Sequence, residues 1–204
     1  SNRIGDQSAV TVAAGATFNL GTASDTIGSL AGAGNVTVTS GTLSVGQNNT
    51  STTFGGVIGG AGRLTKVGTG TLTLGGANTY TGLTTISAGT LALGAANRIA
   101  DGSALSIAAA GTLDLGGFDE TVASITGAGA TSLGAGVLTT GGNNSSTTYS
   151  GVMSGSGGLT KIGTGTLTLS GGNTYTGATT INAGTLTLGG SNRIGDQSAV
   201  TVAS

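Results

Sequence analysis

The chain has 204 residues, a net charge of −1 and a pI near 4.9, with 36% hydrophobic but only 6% charged residues. Disordered chains are usually poor in apolar residues and rich in charge, so this composition predicts a folded protein. The absence of Cys excludes a disulfide framework and thiolate metal sites.

The few basic residues and the short apolar runs narrow the range of partners. The six basic residues are scattered along the chain: Arg3, Arg63, Lys66, Arg98, Lys161 and Arg193. This distribution favours neither nucleic acid nor an anionic membrane as a partner. Apolar stretches last only a few residues and no signal-peptide pattern opens the chain, so we expect any signal or anchor to lie outside it.

A long internal repeat organises the sequence. Residues 1–95 align with residues 96–190 without a gap, so that "NRIGDQSAV" at Asn2 matches "NRIADGSAL" at Asn97. A further copy begins at Ser191 with "SNRIGDQSAVTVAS". We therefore predict a first unit over 1–95, a second over 96–190 and the start of a third over 191–204.

A shorter word of the form Gly-Thr-Leu-x-Leu-Gly recurs inside each unit. In chain order its copies are ATFNLG (16–21), GTLSVG (41–46), GTLTLG (70–75), GTLALG (89–94), GTLDLG (111–116), GVLTTG (136–141), GTLTLS (165–170) and GTLTLG (184–189). Successive words start roughly 24 residues apart on average, which suits one turn of a three-sided β-solenoid made of three short strands and their corners. The words predict a right-handed parallel β-helix of about eight turns, four per unit, with every word on one face and a length of roughly 40 Å.

Alternation within the word predicts which side chains form the core. Successive strand residues point to opposite faces, so Leu72 and Leu74 would point inward and Thr71 and Thr73 outward. Gly at the ends of the words would supply the positive φ that sharp corners require. Other short β-type runs would form the remaining faces: AVTV (9–12), NVTVT (35–39), RLTKV (63–67) and LTTI (83–86).

Other architectures fit these patterns less well. Period-2 alternation and abundant Thr and Val argue against helices. A β-sandwich or an up-and-down barrel remains an alternative, because short strands with turn signals also suit those folds. Stacked parallel coils are favoured, since only they place equivalent strand positions directly above one another.

Two stretches resemble a known family of repeats. "RLTKVGTGTLTLGGANTYTGLTTISAGTLALG" (63–94) and "GLTKIGTGTLTLSGGNTYTGATTINAGTLTLG" (158–189) are similar to the autotransporter-associated β-strand repeat, also called the passenger-associated transport repeat. The resemblance implies a right-handed β-helical passenger domain of a Gram-negative type V secreted protein, extracellular or on the cell surface. Membrane attachment would then depend on a C-terminal barrel outside this chain. Such families include adhesins, aggregation factors, proteases and toxins.

Candidate catalytic and metal sites find little support in the sequence. Asp114, Asp119 and Glu120 could form a carboxylate cluster for glycoside cleavage, but the first unit has Asn19, Ser24 and Asp25 at the same positions. The Gly-rich turns lack the recurring Asp of calcium β-rolls, and no phosphate-loop motif is present. We therefore predict no enzymatic activity, no metal and no cofactor.

Outward-pointing threonines are the strongest candidates for a contact surface. The candidate outward contact column comprises Thr17, Thr42, Thr71, Thr90, Thr112, Thr166 and Thr185, and is interrupted at Val137. Stacked β-branched hydroxyls pack well on a pleated sheet for purely structural reasons. A flat face of Thr columns also resembles an ice-binding or polysaccharide-binding surface. Four aromatic residues are predicted to pack at turns, although ligand stacking is an alternative: Phe54, Tyr80, Tyr149 and Tyr175.

The sequence as a whole predicts a non-enzymatic extracellular stalk or adhesin segment. It would project a functional tip or offer a repetitive face to cells, glycans or copies of itself, with a repetitive ligand such as ice or polysaccharide as the alternative. The same residues occupy 2–13 and 192–203, and neither end carries an evident cap. We therefore expect isolated copies to associate head to tail into filaments.

Overall fold

Short Thr-, Leu- and Val-rich segments form 23 β-strands, with no helix, in the part of the chain that the computed structural model describes, residues 4–191 and 193–203. The outer ends of the predicted units at Ser1 and Ser204, together with Asn2, Arg3 and Asn192, lie outside the described residues. The first twelve strands are β1 (Ala9–Val12), β2 (Thr17–Gly21), β3 (Asp25–Ile27), β4 (Ser29–Gly32), β5 (Asn35–Val38), β6 (Thr42–Val45), β7 (Thr52–Phe54), β8 (Ile58–Gly59), β9 (Arg63–Lys66), β10 (Thr71–Leu74), β11 (Thr84–Leu93) and β12 (Ala104–Asp114). The remaining strands are β13 (Glu120–Val122), β14 (Ser124–Gly127), β15 (Ala130–Gly134), β16 (Leu138–Thr140), β17 (Thr147–Tyr149), β18 (Met153–Gly155), β19 (Leu159–Lys161), β20 (Thr166–Leu169), β21 (Thr179–Ile181), β22 (Thr185–Leu188) and β23 (Val200–Val202).

The strands stack into the three faces of a parallel β-solenoid, which confirms the predicted fold. The first face contains β1, β4, β7, β10, the second halves of β11 and β12, β15 and β18. The second face contains β2, β5, β8, β13, β16, β19, β21 and β23. The third face contains β3, β6, β9, the first halves of β11 and β12, β14, β17, β20 and β22. All pairings between described strands are parallel, and the right-handed coil stays a prediction.

Each turn is shorter than the word spacing indicated. Ala9 pairs with Ser29, and Thr71 pairs with Thr90, so a single turn takes only about 20 residues of short strands and corners. The chain accordingly makes about ten turns rather than the predicted eight. At roughly 4.8 Å between neighbouring strands, ten turns give a rod of about 48 Å.

The words do not share one face, which corrects the prediction and explains the miscount. The more closely spaced words lie three strands apart and stack directly, as at residues 70–75, 89–94 and 111–116. The more widely spaced words lie four strands apart and move to the next face. The copy at 16–21 is on the second face and the copy at 41–46 is on the third.

A 95-residue shift therefore rotates the structure by a third of a turn. Val12 lies on the first face, Ile107 at the same place in the next unit lies on the third, and Val202 lies on the second. Fourteen segments separate Val12 from Ile107 when the two halves of β11 and the two second-face segments that form no strand, 78–80 and 97–99, are each counted, which is four and two-thirds turns. The ladder also continues without interruption across residue 95, where β11 pairs with β12. The division into units at residue 95 stays a prediction, because the stack itself has no break there.

The core follows the predicted alternation. In β10, Leu72 and Leu74 are buried while Thr71 and Thr73 are partly exposed, as predicted. The same inward pattern continues through the stack and produces one continuous apolar core along the axis of the solenoid. The hydrophobic surface buried by each turn thus lies against the turns above and below it, as well as within the turn.

Glycine serves two purposes at the corners, and positive φ is only one of them. Gly89 has φ of 64°, as the corner prediction required. Gly70, in contrast, is required by close packing: a Cβ there would lie 2.5 Å from the carbonyl oxygen of Thr50 in the preceding turn. Substitution of either glycine would disturb the stacking of one turn on the next.

Engineered disulfides can test the pairing. In a parallel sheet, directly opposed residues have Cα atoms about 4.8 Å apart, within the range of a disulfide. We expect Thr71→Cys with Thr90→Cys to form an intramolecular disulfide on mild oxidation, measured by mass spectrometry. Thr42→Cys with Thr71→Cys should not, because Thr42 pairs with Arg63 on the third face. Bonding in the second pair alone would support stacking of all words on one face and contradict this register.

Truncation of inward and outward side chains should differ in cost. Leu74→Ala should lower the free energy of unfolding by about 2–5 kcal/mol, the usual cost of truncating a buried Leu. Thr73→Ala, one residue away on the outer surface, should cost less than half as much. Urea denaturation of both variants would measure the difference, and equal losses would show that the inward and outward positions are wrongly assigned.

Candidate functional site

The predicted threonine column is divided among the three faces. Thr71, Thr90 and Thr112 lie directly above one another on the first face, partly exposed. Thr166 and Thr185 are neighbours on the third face. These five residues therefore form two separate short ladders, not one column.

The other two predicted threonines are isolated from those ladders. Thr17 pairs with Asn35 on the second face, and Thr42 pairs with Arg63 on the third. All seven threonines point outward, as the alternation predicted. Their role in binding stays a prediction.

The four aromatic side chains lie in the core. Phe54, Tyr80, Tyr149 and Tyr175 are fully buried, so none of them offers an exposed ring for ligand stacking. Packing was the favoured interpretation of these residues, and the structure agrees with it.

Buried hydroxyl groups join neighbouring turns in a chain of hydrogen bonds. The hydroxyl of Tyr80 lies 2.7 Å from that of Thr84, which lies 2.8 Å from that of Ser103. Ser103 donates to the carbonyl of Gly82 at 2.7 Å, so the preceding two hydroxyls donate towards Ser103. Burial raises the pKa of Tyr80, which keeps its phenol protonated as a donor. The arrangement recurs 95 residues later at Tyr175, Thr179 and Ser198.

The three acidic residues considered for catalysis each bind a different stretch of backbone. Asp114 accepts the N–H of Gly116 at 3.0 Å, and Asp119 accepts that of Val137 at 2.8 Å. Glu120, unlike Asp114 and Asp119, is fully buried. The three carboxyl groups therefore act as acceptors for separate backbone groups.

The carboxyl group of Glu120 accepts hydrogen bonds from backbone N–H groups on the second face, where the preceding turn forms no strand. Its Oε2 accepts the N–H groups of Arg98 at 2.8 Å and Ile99 at 3.3 Å, in a segment that forms no strand. Asp25, at the same place in the first unit, accepts the N–H of Ile4 at 3.0 Å. Burial raises the pKa of Glu120 from its ordinary 4.5 to about 7, and the charge of Asp101 acts in the same direction. This carboxyl group therefore carries a proton far more readily than a surface glutamate.

Two buried lysines each donate hydrogen bonds to carbonyl groups at a corner of the solenoid. The ammonium of Lys66 donates to the carbonyls of Val67 at 2.6 Å, Gly68 at 2.8 Å and Ala88 at 3.3 Å, the last in the next turn. Burial lowers the pKa of Lys66 from its ordinary 10.5 to about 8. Lys161 makes the same three contacts in the second unit. Each ammonium thus binds carbonyl groups of two successive turns at one corner.

Asparagines satisfy the backbone at two other kinds of position. Asn49 adopts φ of 62°, and its Oδ1 accepts the N–H of Thr69 in the next turn at 2.8 Å. Asn78 is buried: it accepts the N–H of Ile58 at 2.8 Å and donates to the carbonyl of Arg98 at 2.7 Å. These amides connect turns where no strand pairing does.

A groove lies beside the last turns of the solenoid. It has a volume of about 410 Å³ and is lined by residues 172–174, 176 and 194–197. Among residues 4–191 and 193–203, no three His, Cys, Asp or Glu side chains are grouped to hold a metal ion. No helix in that part is long and apolar enough to cross a membrane.

The repeated lysine corner and the buried asparagines Asn78 and Asn173 fall within the stretches that match a known repeat. A family model for the passenger-associated transport repeat matches residues 64–93 and 159–192. The chain contains two passenger-associated transport repeats. They include Lys66, Lys161 and both Asn-Thr-Tyr segments.

A curated relative extends the similarity beyond the two repeats. The chain is 40% identical over 146 residues to a protein named adhesin BmaC autotransporter, from Brucella suis biovar 1 (strain 1330). The match covers 68% of this chain but only 4% of the relative, so the chain spans a small part of the relative's length. No solved structure gives a significant match. The chain is therefore a β-solenoid segment related to an autotransporter adhesin.

Sequence reasoning overlooked the lysine corner and the buried acid. A signal for the first was present: Lys66 follows Leu64 at an inward position, and Lys161 occupies the same place in the second unit. The position of Glu120 is also acidic in the first unit, at Asp25. Retention of a charged residue at an inward position in both units would have identified each as structural.

Glu120 predicts a pH dependence of stability. Because its pKa is raised to about 7 in the folded state, the native protein binds a proton that the unfolded chain releases between pH 4.5 and 7. Stability from this group should therefore be fully present below pH 4.5 and decline as the pH rises to about 7. We expect Glu120→Gln to flatten this decline in urea denaturation series. Asp114→Asn is the control, and an unchanged profile in Glu120→Gln would contradict the assignment.

The contacts of Lys66 predict that it contributes much more to the free energy of unfolding than Arg63, the other cation of β9. Lys66→Met leaves three carbonyls without their donor, and hydrogen bonds to a charged group each contribute about 1.5–3 kcal/mol. We expect this variant to lose at least about 1.5 kcal/mol of unfolding free energy. Arg63→Met, at the exposed start of β9, should change stability by less than about 0.5 kcal/mol. Similar losses from both would argue against the corner contacts.

Proposed function

We propose that this chain is a non-enzymatic, extracellular segment of an autotransporter-type passenger that serves as a stalk and as a repetitive adhesive surface. The observation that supports the proposal is that the buried charged side chains of the chain bind its own backbone. Lys66, Lys161 and Glu120 are buried on backbone groups, and four of the six aromatic rings lie in the core. Such a molecule is organised for extension and mechanical continuity.

The relative's name supports adhesion as the purpose of that extension. The similarity to an autotransporter adhesin covers 68% of the chain, well beyond the two matched repeats. A passenger of this kind would be displayed outside the cell. The whole relative is far longer, so this segment would contribute length and repeated contacts within a larger molecule.

Rotation of equivalent surfaces also favours a repetitive adhesive role. Each 95-residue step moves equivalent residues a third of a turn around the rod, as Val12, Ile107 and Val202 show. An array of such units presents the same outer surface in three directions. Weak contacts on several sides could then act together through effective concentration, without a single high-affinity site.

A second candidate depends on the three-threonine ladder. Thr71, Thr90 and Thr112 form a continuous run of outward hydroxyls on the first face. Beside it, Thr73, Ala92 and Asp114 form an irregular second row. A repetitive ligand such as ice or polysaccharide could bind the regular row. The irregular second row makes this proposal weaker than the stalk.

Display at different densities separates the two candidates. Beads coated with the chain should adhere to epithelial cells or a glycan array increasingly with coating density, whereas the soluble monomer should bind weakly. Thr90→Lys should leave bead adhesion unchanged if the whole rod contributes. Loss of ice-recrystallisation inhibition or of glycan binding in Thr90→Lys would favour the threonine ladder instead. Beads that adhere to no surface at any density would contradict the adhesive role.

A further inference from the structure

Two corners of the solenoid each carry a pair of adjacent asparagines. Asn48 and Asn49 lie in the corner between β6 and β7. Asn143 and Asn144 lie in the corner between β16 and β17. Each of the four begins a sequence of the form Asn-x-Ser/Thr, the acceptor motif of N-linked glycosylation in secreted proteins. A fifth copy of the motif, at Asn35 within strand β5, has Ala at the same place in the second unit, so only the corner pairs are present in both units.

The second asparagine of each pair has a side-chain nitrogen that the fold does not use. Asn49 is exposed, and its Oδ1 accepts the N–H of Thr69 at 2.8 Å. Asn144 is also exposed and accepts the N–H of Thr164 at 2.9 Å. Because a backbone N–H can bond only to the oxygen of the amide, these contacts identify Oδ1 and Nδ2 at both corners. Neither Nδ2 makes a hydrogen bond within residues 4–191 and 193–203, so both nitrogens are available for a covalent bond.

The first asparagine of each pair differs, because its nitrogen is packed against the preceding turn. Nδ2 of Asn48 donates to the hydroxyl of Ser29 at 3.4 Å. A Cβ on Gly28 would lie 2.8 Å from the same nitrogen, which leaves no room there for a larger group. Nδ2 of Asn143 donates to the hydroxyl of Ser124 at 3.1 Å. The fold therefore has space for a substituent on only one asparagine of each pair.

The backbone contact of Asn49 does not explain why this residue is an asparagine. Its φ of 62° lies in the left-handed region, which Asn and Asp both tolerate. An aspartate oxygen would accept the N–H of Thr69 equally well. Asn144, with the same φ of 62°, is nevertheless also an asparagine. Both units thus contain an amide nitrogen that the stacking of the turns does not require.

We propose that Asn49 and Asn144 are acceptor sites for N-linked glycosylation, with a sugar activated at C1 by a diphosphate carrier as the donor. Nδ2 forms a bond to C1, and the bond between C1 and the phosphate oxygen breaks. Its electron pair leaves with the phosphate, and one Nδ2 proton passes to a base of the transferase. The product keeps the amide carbonyl, so Oδ1 of Asn49 still accepts the N–H of Thr69. This proposal goes beyond the proposed function, because it concerns a covalent modification of the segment.

The contacts of the motif also determine when the sugar is added. The hydroxyl of Ser51, which completes the motif of Asn49, accepts the N–H of Thr71 at 3.0 Å. Both ends of the motif are therefore bound to the next turn in the folded solenoid. In the unfolded chain the amide and the hydroxyl are free to bind a transferase together. Transfer therefore takes place before the next turn stacks on the corner.

The overlap of the two motifs provides a matched pair of variants. Ser51→Ala removes the motif of Asn49 alone, whereas Thr50→Ala removes that of Asn48 alone. In the full passenger purified from the cells that produce it, peptide mass spectrometry should show a sugar on Asn49. The sugar should be lost in Ser51→Ala and kept in Ser51→Thr and Thr50→Ala. An unmodified Asn49 in the unsubstituted passenger, or loss of the sugar in Thr50→Ala instead of Ser51→Ala, would overturn the proposal.

Transfer during refolding tests the order of events. The probe is a purified bacterial asparagine glycosyltransferase with UDP-glucose, added either while the chain is diluted from urea or after it has folded. We expect incorporation at Asn49 to be at least about tenfold slower after folding, because the motif must first detach from the next turn. Ser51→Ala is the control and should incorporate no sugar at Asn49 in either state. Equal rates in both states would contradict the order, and no incorporation in either state would overturn the acceptor assignment.

Hydrogen exchange tests whether the fold accommodates the sugar. The amide of Thr69 should be as well protected in the glycosylated chain as in the unmodified chain, because Oδ1 of Asn49 remains its acceptor. The amide of Thr71 is the internal control, since its acceptor is the hydroxyl of Ser51. Faster exchange at Thr69 alone would show that the sugar displaces Oδ1 and would overturn the assignment of Nδ2 as a site compatible with the fold.

Discussion

The parallel hydrogen-bond ladder between successive turns is the interaction on which the rest of the structure depends. It fixes which residues lie above one another, and it brings the backbones of neighbouring turns so close that Gly70 leaves no room for a Cβ. It also lets Leu72, Leu91 and Leu113 stack along one axis to form the core. A turn alone could not bury its apolar side, so each turn is stable only through its neighbours.

The interior polar groups maintain this ladder where its backbone partners are missing. At one corner Lys66 satisfies three carbonyls, and on the second face Glu120 and Asn78 bind a segment that forms no strand. Buried charged and polar groups are costly unless they are hydrogen-bonded, so each one marks a place where the backbone requires a partner. These side chains therefore keep neighbouring turns in contact.

The sequence predicted the local pattern well and the turn length poorly. Alternation correctly assigned Leu74 inward and Thr73 outward, because the period of a strand is a local property. Closely spaced words stack as predicted, but widely spaced words do not, because the repeat contributes fourteen segments to the faces and three segments make a turn. The short words in the sequence do not show how many segments make one turn. The role of Lys66 was equally hidden, since the carbonyl of Ala88 comes from the next turn of the solenoid.

The ratio of fourteen segments to three faces has a consequence for any longer array: the same outer surface returns to the same side only after three units. Image averaging of a purified six-unit array by cryo-electron microscopy measures this directly. The structure predicts that each unit advances about 22 Å and rotates by a third of a turn, from four and two-thirds turns at roughly 4.8 Å each. An advance of about 19 Å without rotation, as four whole turns per unit would give, would contradict it.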